Sequence, residues 1–141
     1  MITFTVSFDP KLPRLGGTLP PKQPDWSRIY AITEGLEYDM TYHVCGRAFG
    51  YYPTDVVGLL SDLIGAKEEL DRGQDGAINM SGYTILLVEF SGDSIVFSDP
   101  YPSKWRCEVQ VAVVKEALDQ ALYDVWSSVI SLDQPGSVLG R

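Results

Sequence analysis

Histidine and cysteine are scarce in this chain, which contains one histidine, His43, and two cysteines, Cys45 and Cys107. A catalytic site based on histidine, or a zinc site with several Cys and His ligands, therefore has few residues to draw on. The two cysteines stand far apart and form neither a CxxC motif nor the pattern of a disulfide framework. We therefore expect two separate thiols and a protein of the reducing cytoplasm.

Basic residues are also few, because 11 Lys and Arg stand against 19 Asp and Glu, a net charge of -8. A chain of this charge repels the phosphates of nucleic acids and of anionic lipids. Direct nucleic-acid binding is therefore not expected. A basic protein partner is the complementary expectation, since opposite charges steer association.

Long hydrophobic runs are missing as well. Runs such as residues 85–88 are far shorter than the roughly 20 apolar residues that cross a bilayer. Residues 1–8 alternate between apolar and polar side chains and carry no basic segment, so we expect no signal peptide. The sequence predicts no association with a membrane.

The residues that are present predict a packed α+β protein. Hydrophobic residues make up 45% of the 141 residues, enough for a core, and we expect one domain over residues 1–141. Apolar side chains recur at period two in some segments and at 3.6 in others, which predicts strands and helices respectively. The predicted strands cover 2–8, 38–45, 83–90, 94–98 and 106–113, and the predicted helices cover about 53–73 and 113–131.

This order of elements predicts one antiparallel sheet of about five strands with two helices packed on one face. Proline and glycine are concentrated soon after the first strand, and we expect an irregular, Pro-rich N-terminal arm over residues 9–30. Residues 132–141 follow the last helix and are expected to form a loose C-terminal tail.

His43 is the first candidate for a catalytic residue, with Asp39 on the same face of its strand. Four residues along a strand span roughly 13 Å, so Asp39 cannot orient His43 directly. By alternation Cys45 and Cys107 fall on opposite faces, and residues 71–82 lack the glutamate that ends a calcium loop. We expect no catalytic residue, no metal and no cofactor, although a ligand pocket centred on His43 stays open as an alternative.

Two groups of residues are candidates for contacting a partner. Asp55, Asp62 and Glu69 are spaced seven apart on the first predicted helix, which places them in one acidic stripe beside its apolar face. The stripe could meet basic residues of a partner, or it could be an ordinary solvated helix face. The second group consists of aromatic residues in two loops. These residues could be hot spots for binding a partner, or they could pack against the chain's own core. One loop contains Tyr51 and Tyr52, and the other contains Asp99, Tyr101 and Trp105. If both loops lie at the same end of the sheet, they form a patch with an acidic rim.

Residues 53–131 resemble the small acidic α+β immunity proteins of bacterial polymorphic-toxin and contact-dependent-inhibition systems. The resemblance is in size, charge and element order, and covers the helix that starts at Thr54, the strand Tyr83–Phe90 and the helix with Trp126. It implies a cytoplasmic protein that binds a cognate toxin domain, often a basic nuclease. Such a protein blocks the active site of the toxin and catalyses nothing itself.

The sequence therefore predicts a non-enzymatic binding protein, a monomer or weak dimer, that neutralises a basic toxin domain. The acidic stripe and the aromatic loops would cover the cleft of that domain. Two alternatives remain: a small-ligand-binding protein or enzyme that uses a pocket around His43, and a structural or adaptor subunit that docks through residues 9–30.

Overall fold

A computed structural model describes residues 2–8, 18–49, 55–80, 83–101 and 104–133 of the chain. It confirms the α+β class, with three helices and two sheets among these residues. The strands are β1 (Ile2–Ser7), β2 (Tyr38–Val44), β3 (Arg47–Phe49), β4 (Gly76–Met80), β5 (Tyr83–Ser91), β6 (Ser94–Ser98) and β7 (Arg106–Gln110). The helices are α1 (Trp26–Thr33), α2 (Val56–Asp71) and α3 (Val111–Leu132).

The prediction of a single antiparallel sheet is wrong, because the strands form two sheets and one of these contains a parallel pair. The first sheet has the order β1-β2-β3, and β1 runs parallel to β2. Parallel neighbours need a crossover connection, and here α1 lies within that connection. The second sheet, β4-β5-β6-β7, is antiparallel throughout, and Gly92 lies in the hairpin turn that joins β5 to β6.

Helix α1 replaces the last part of the predicted irregular arm. It begins after Asp25, whose carboxylate accepts a hydrogen bond from the backbone N–H of Arg28 at 3.1 Å. Ile29 and Thr33 are one turn apart and both buried, so a single face of this short helix packs inward. The sequence did not predict this helix, because its short apolar pattern lies next to a proline-rich stretch. Residues 9–17 lie outside the described residues.

Helices α2 and α3 pack against each other, and both also contact the sheets. Their buried side chains recur at three and four, as the sequence predicts. Strand β7 is shorter than predicted and leads directly into α3 at Val111, so Val113 belongs to the helix and not to a strand. At the other end of α3, the side chain of Asp133 pairs with Arg28 at 3.1 Å, while residues 134–141 lie outside the described residues.

One cluster of buried residues draws on both sheets and all three helices. Phe8, just after β1, connects the sheets, because its ring stacks on Phe97 of β6 with centroids 5.1 Å apart. The same ring meets Tyr42 of β2 edge-on at 6.0 Å. Aromatic pairs of this kind add about 0.5–1.5 kcal/mol beyond the burial of their surface.

The two cysteines are not separate thiols, which corrects the sequence-based expectation. Cys45 and Cys107 form a disulfide with Cα atoms 6.3 Å apart, and it joins the β2–β3 turn to β7. Strand alternation predicts that the two cysteines lie on opposite faces, but β2 and its alternation end at Val44. Cys45 and Gly46 both have positive φ, 49° and 77°, the conformation of a two-residue type I′ turn. The turn redirects the Cys45 side chain toward β7.

Candidate protein-binding surface

Two of the predicted loop residues meet β3 in a cluster that we call the aromatic surface, formed by Arg47, Phe49, Tyr83, Tyr101 and Trp105. Phe49 comes from β3, Tyr83 from the start of β5, and the other two aromatic residues from the β6–β7 connection. The rings of Phe49 and Trp105 lie 5.3 Å apart at an angle of 59°. Segments distant in sequence therefore build one surface.

Arg47 lies at the centre of this surface. Its guanidinium carbon stands 5.1 Å from the ring centroid of Phe49 and 5.2 Å from that of Trp105. Cations at this distance from an aromatic face are attracted by about 0.5–2 kcal/mol. One guanidinium nitrogen also donates to Asp99 at 2.8 Å. Arg47 is thus fixed from three sides.

Asp99 has a role that the sequence did not predict. Its side chain is only 11% exposed, and its second oxygen accepts a hydrogen bond from the backbone N–H of Tyr101 at 3.0 Å. The carboxylate therefore orients Arg47 and holds the loop that carries Tyr101. Because both oxygens are engaged, Asp99 contributes more to the shape of the surface than to an acidic rim.

Tyr83 and Tyr101 present the accessible part of the aromatic surface, with 62% and 69% of their area exposed. Together with Arg47 and Phe49 they line a shallow cavity of about 410 Å³. Tyr, Trp and Arg are the residue types enriched at the energetic centres of protein interfaces. The fixed Arg47 and the exposed tyrosines give this surface the properties of such a centre.

Sequence reasoning missed Arg47 and Tyr83. Arg47 gives no local signal, since its partner Asp99 lies 52 positions away. Tyr83 could have been found, because alternation along β5 places it opposite the buried Leu86 and Val88. The predicted residues Tyr51 and Tyr52 lie outside the described residues.

The acidic stripe is only partly available to a partner. Asp55 precedes α2, where its carboxylate accepts the backbone N–H of Gly58 at 2.8 Å. Glu69 pairs with Arg72 at 2.7 Å and packs closely against Gly76. Asp62 is half-buried on the same helix. The carboxylates of Asp55 and Glu69 are therefore engaged in contacts within the chain.

We expect Asp55→Ala to lower the free energy of unfolding by about 1 kcal/mol, because the variant loses the cap of α2. Asp55→Asn should stay close to wild type, since asparagine caps equally well and only the charge is removed. Urea denaturation of both variants measures these effects. Equal destabilisation of the two variants would show that the charge and not the cap is responsible.

His43 pairs with Ala48 of β3, so its side chain and those of Arg47 and Phe49 lie on opposite faces of the first sheet. His43 lines a cavity of about 770 Å³ between the first sheet and β7, together with the disulfide residue Cys45 and with Glu108. Asp39 is not among the residues that line this cavity. Among the described residues, the structure therefore does not combine His43, Asp39 and the aromatic surface into one pocket.

The chain was compared with protein-family models, with curated proteins and with solved structures. None of the three comparisons finds a match. The assignment of function therefore rests on the geometry of the surfaces described above.

In the described part of the chain, no helix combines the length and the apolar character that a bilayer crossing requires. Within the same residues, no group of three or more His, Cys, Asp and Glu side chains is arranged to hold a metal ion.

Proposed function

We propose that the protein is a non-enzymatic binding protein whose partner docks on the aromatic surface. The observation that supports this best is the fixed Arg47, which is held between two rings and Asp99 beside the exposed Tyr83 and Tyr101. Side chains that are held in place before binding lose less conformational entropy when a partner arrives. A rigid aromatic platform is therefore suited to tight association.

Charge suggests the chemistry of the partner. With 19 acidic and 11 basic residues, the negative charges exceed the positive ones by eight (19 − 11). The field of this excess attracts a basic protein and accelerates its association. The proposed partner is thus a basic protein domain that contacts the aromatic surface and is drawn in by the surrounding negative charge.

The specific form of this proposal is an immunity protein that neutralises a toxin domain. The resemblance of residues 53–131 supports it, as do the small size and the acidic charge of the chain. In this mechanism the protein covers the active site of the toxin and carries out no chemistry. Stoichiometric binding is sufficient for inhibition.

Location in the cytoplasm remains part of the proposal, but the disulfide removes the reason first given for it. Disulfides persist in oxidising compartments and are rare where thioredoxin and glutathione keep thiols reduced. The bond between Cys45 and Cys107 therefore counts against a reducing cytoplasm. Trapping of free thiols in intact cells would decide which form the protein takes.

The two alternatives have less structural support. A His43 pocket would have to function without Asp39 and without the aromatic surface, since neither lines that cavity. An adaptor that docks through residues 9–30 could not use the inner face of α1 for docking, because Ile29 of that helix is fully buried in the protein's own core. Both remain predictions.

Affinity capture from the organism that encodes the chain tests the proposal. The tagged protein, applied at low salt, is expected to retain one basic protein in equal amount and to release it as salt rises, because screening weakens steered binding. Mass spectrometry identifies the retained protein. Retention of no specific protein, or of an acidic one that resists salt, would contradict the proposal.

A further inference from the structure

Strand β7 lies at one edge of the second sheet. Among the described residues it pairs with β6 on one side, and no other strand pairs with its opposite side. An edge of this kind presents a row of backbone N–H and C=O groups that can pair with another extended chain. The direction of each group along β7 follows from its register with β6.

The backbone N–H of Val111 donates to the carbonyl of Asp93 at 2.8 Å. Pairing along an antiparallel ladder alternates, so Val109 and Cys107 also exchange hydrogen bonds with β6. The residues between them direct their backbone groups away from β6. The N–H groups of Arg106, Glu108 and Gln110 therefore point to the outer edge.

This outer edge forms one wall of the cavity of about 770 Å³. Glu108 and Gln110 line it from β7, while Thr5 and His43 line it from the polar face of the first sheet. The apolar side chains of Phe8, Val109 and Val113 also line it, and Ser7, Cys45 and Gly46 complete the lining. A strand edge, a polar floor and an apolar patch thus border the same groove.

We propose that this groove binds an extended, basic peptide segment, which adds to β7 as a fifth strand of the second sheet. The N–H groups of Glu108 and Gln110 would bond to its carbonyls, as in other cases of strand addition. Glu108 and the net charge of -8 favour Lys or Arg in the peptide. The apolar patch of Phe8, Val109 and Val113 would contact an aliphatic side chain between these basic residues. Alternating basic and aliphatic residues meet both demands.

The inference rests on the proposed function in one respect: the peptide would belong to the docked partner. Trp105 of the aromatic surface immediately precedes β7, so the edge runs from that surface into the groove. The strand addition itself needs no partner protein, and a synthetic peptide tests it separately. Failure of that test would leave the aromatic surface and its own test untouched.

The probe is a synthetic peptide of about seven alternating lysine and valine residues, blocked at both ends, a length that slightly exceeds that of β7. Its affinity for the full chain is measured by calorimetry, and the amide of Glu108 is followed by NMR. We expect binding, a shifted amide signal and slower hydrogen exchange at Glu108. A peptide that does not bind, or that binds without affecting Arg106 and Glu108, would overturn the inference.

Gln110→Pro is the decisive variant. Gln110 has φ −63°, the value that proline requires, and its N–H faces the groove, so no bond to β6 is lost. We expect at least a tenfold loss of peptide affinity, about the contribution of one good hydrogen bond. The control Gln110→Ala also removes the side chain from the groove but keeps the N–H, so it should lose clearly less affinity than the proline variant.

Equal affinity of the proline and alanine variants would contradict strand addition. If the proline variant does not fold, the exchange rate of the Glu108 amide in the wild-type protein gives the answer alone. Protection of that amide by higher protein concentration without peptide would assign the edge to a second copy of the chain and also overturn the inference.

Discussion

Cys107→Ala is expected to lower the free energy of unfolding by about 4 kcal/mol under oxidising conditions. The bond joins positions 62 residues apart, and the chain-entropy model gives about this value for a loop of that size. Few single substitutions in a protein of this length have a larger effect. The disulfide also ties the first sheet to β7, where the two sheets meet.

Urea denaturation with and without a reducing agent measures this effect. Reduction should destabilise the wild-type protein to the level of Cys107→Ala and leave the variant unchanged. Cys45→Asn is an informative companion, since it also removes the bond but places asparagine at a positive φ that asparagine tolerates. It should lose less stability than Cys107→Ala. Equal stability of the wild type in both conditions would show that the disulfide contributes nothing.

The combined substitution of Tyr83 and Tyr101 by alanine is expected to weaken partner binding by about a hundredfold or more. Truncation of one hot-spot tyrosine costs about 2 kcal/mol or more, and the costs of neighbouring hot spots do not simply add. A combined cost of about 2.8 kcal/mol corresponds to a hundredfold, because each 1.4 kcal/mol is a factor of ten. Both side chains are more than 60% exposed, so their removal should leave the fold stable. Calorimetric titration with the captured partner measures the change.

Tyr30→Ala is the matched control for this experiment. Tyr30 lies on α1, is 53% exposed, and is not part of the aromatic surface. Its truncation removes the same chemical group from a different place and should leave affinity within about twofold of wild type. Comparable losses from Tyr30→Ala and from the double variant would mean that the aromatic surface is not the docking site.

Local patterns in the sequence predict much of the fold, because they depend on neighbouring residues alone. Alternation identifies the strand around Met40, and the helical period identifies α2 and α3. The parallel arrangement of β1 and β2 depends instead on α1, whose short apolar face is adjacent to a proline-rich stretch. A local reading assigned that stretch to an irregular arm and so predicted an antiparallel sheet.

The candidate site was less predictable, because its geometry comes from contacts distant in sequence. The sequence left open whether the loop with Tyr101 and Trp105 lies at the same end of the sheet as the loop after Phe49, and Trp105 does contact Phe49. No local sequence signal predicts the ion pair of Arg47 and Asp99. Because of this pair, Asp99 holds the aromatic surface in shape and does not form part of an acidic rim. The disulfide escaped prediction because the turn at Cys45 ends the alternation from which its direction was inferred.

An inhibition titration tests the central claim most directly. The captured partner is assayed for its own activity while wild-type protein, or the Tyr83 and Tyr101 double variant, is added in increasing amounts. Neutralisation through the aromatic surface predicts that activity falls to zero at one equivalent of wild-type protein and persists with one equivalent of the double variant. Full activity of the partner at saturating wild-type protein, or equal inhibition by both, would contradict the account.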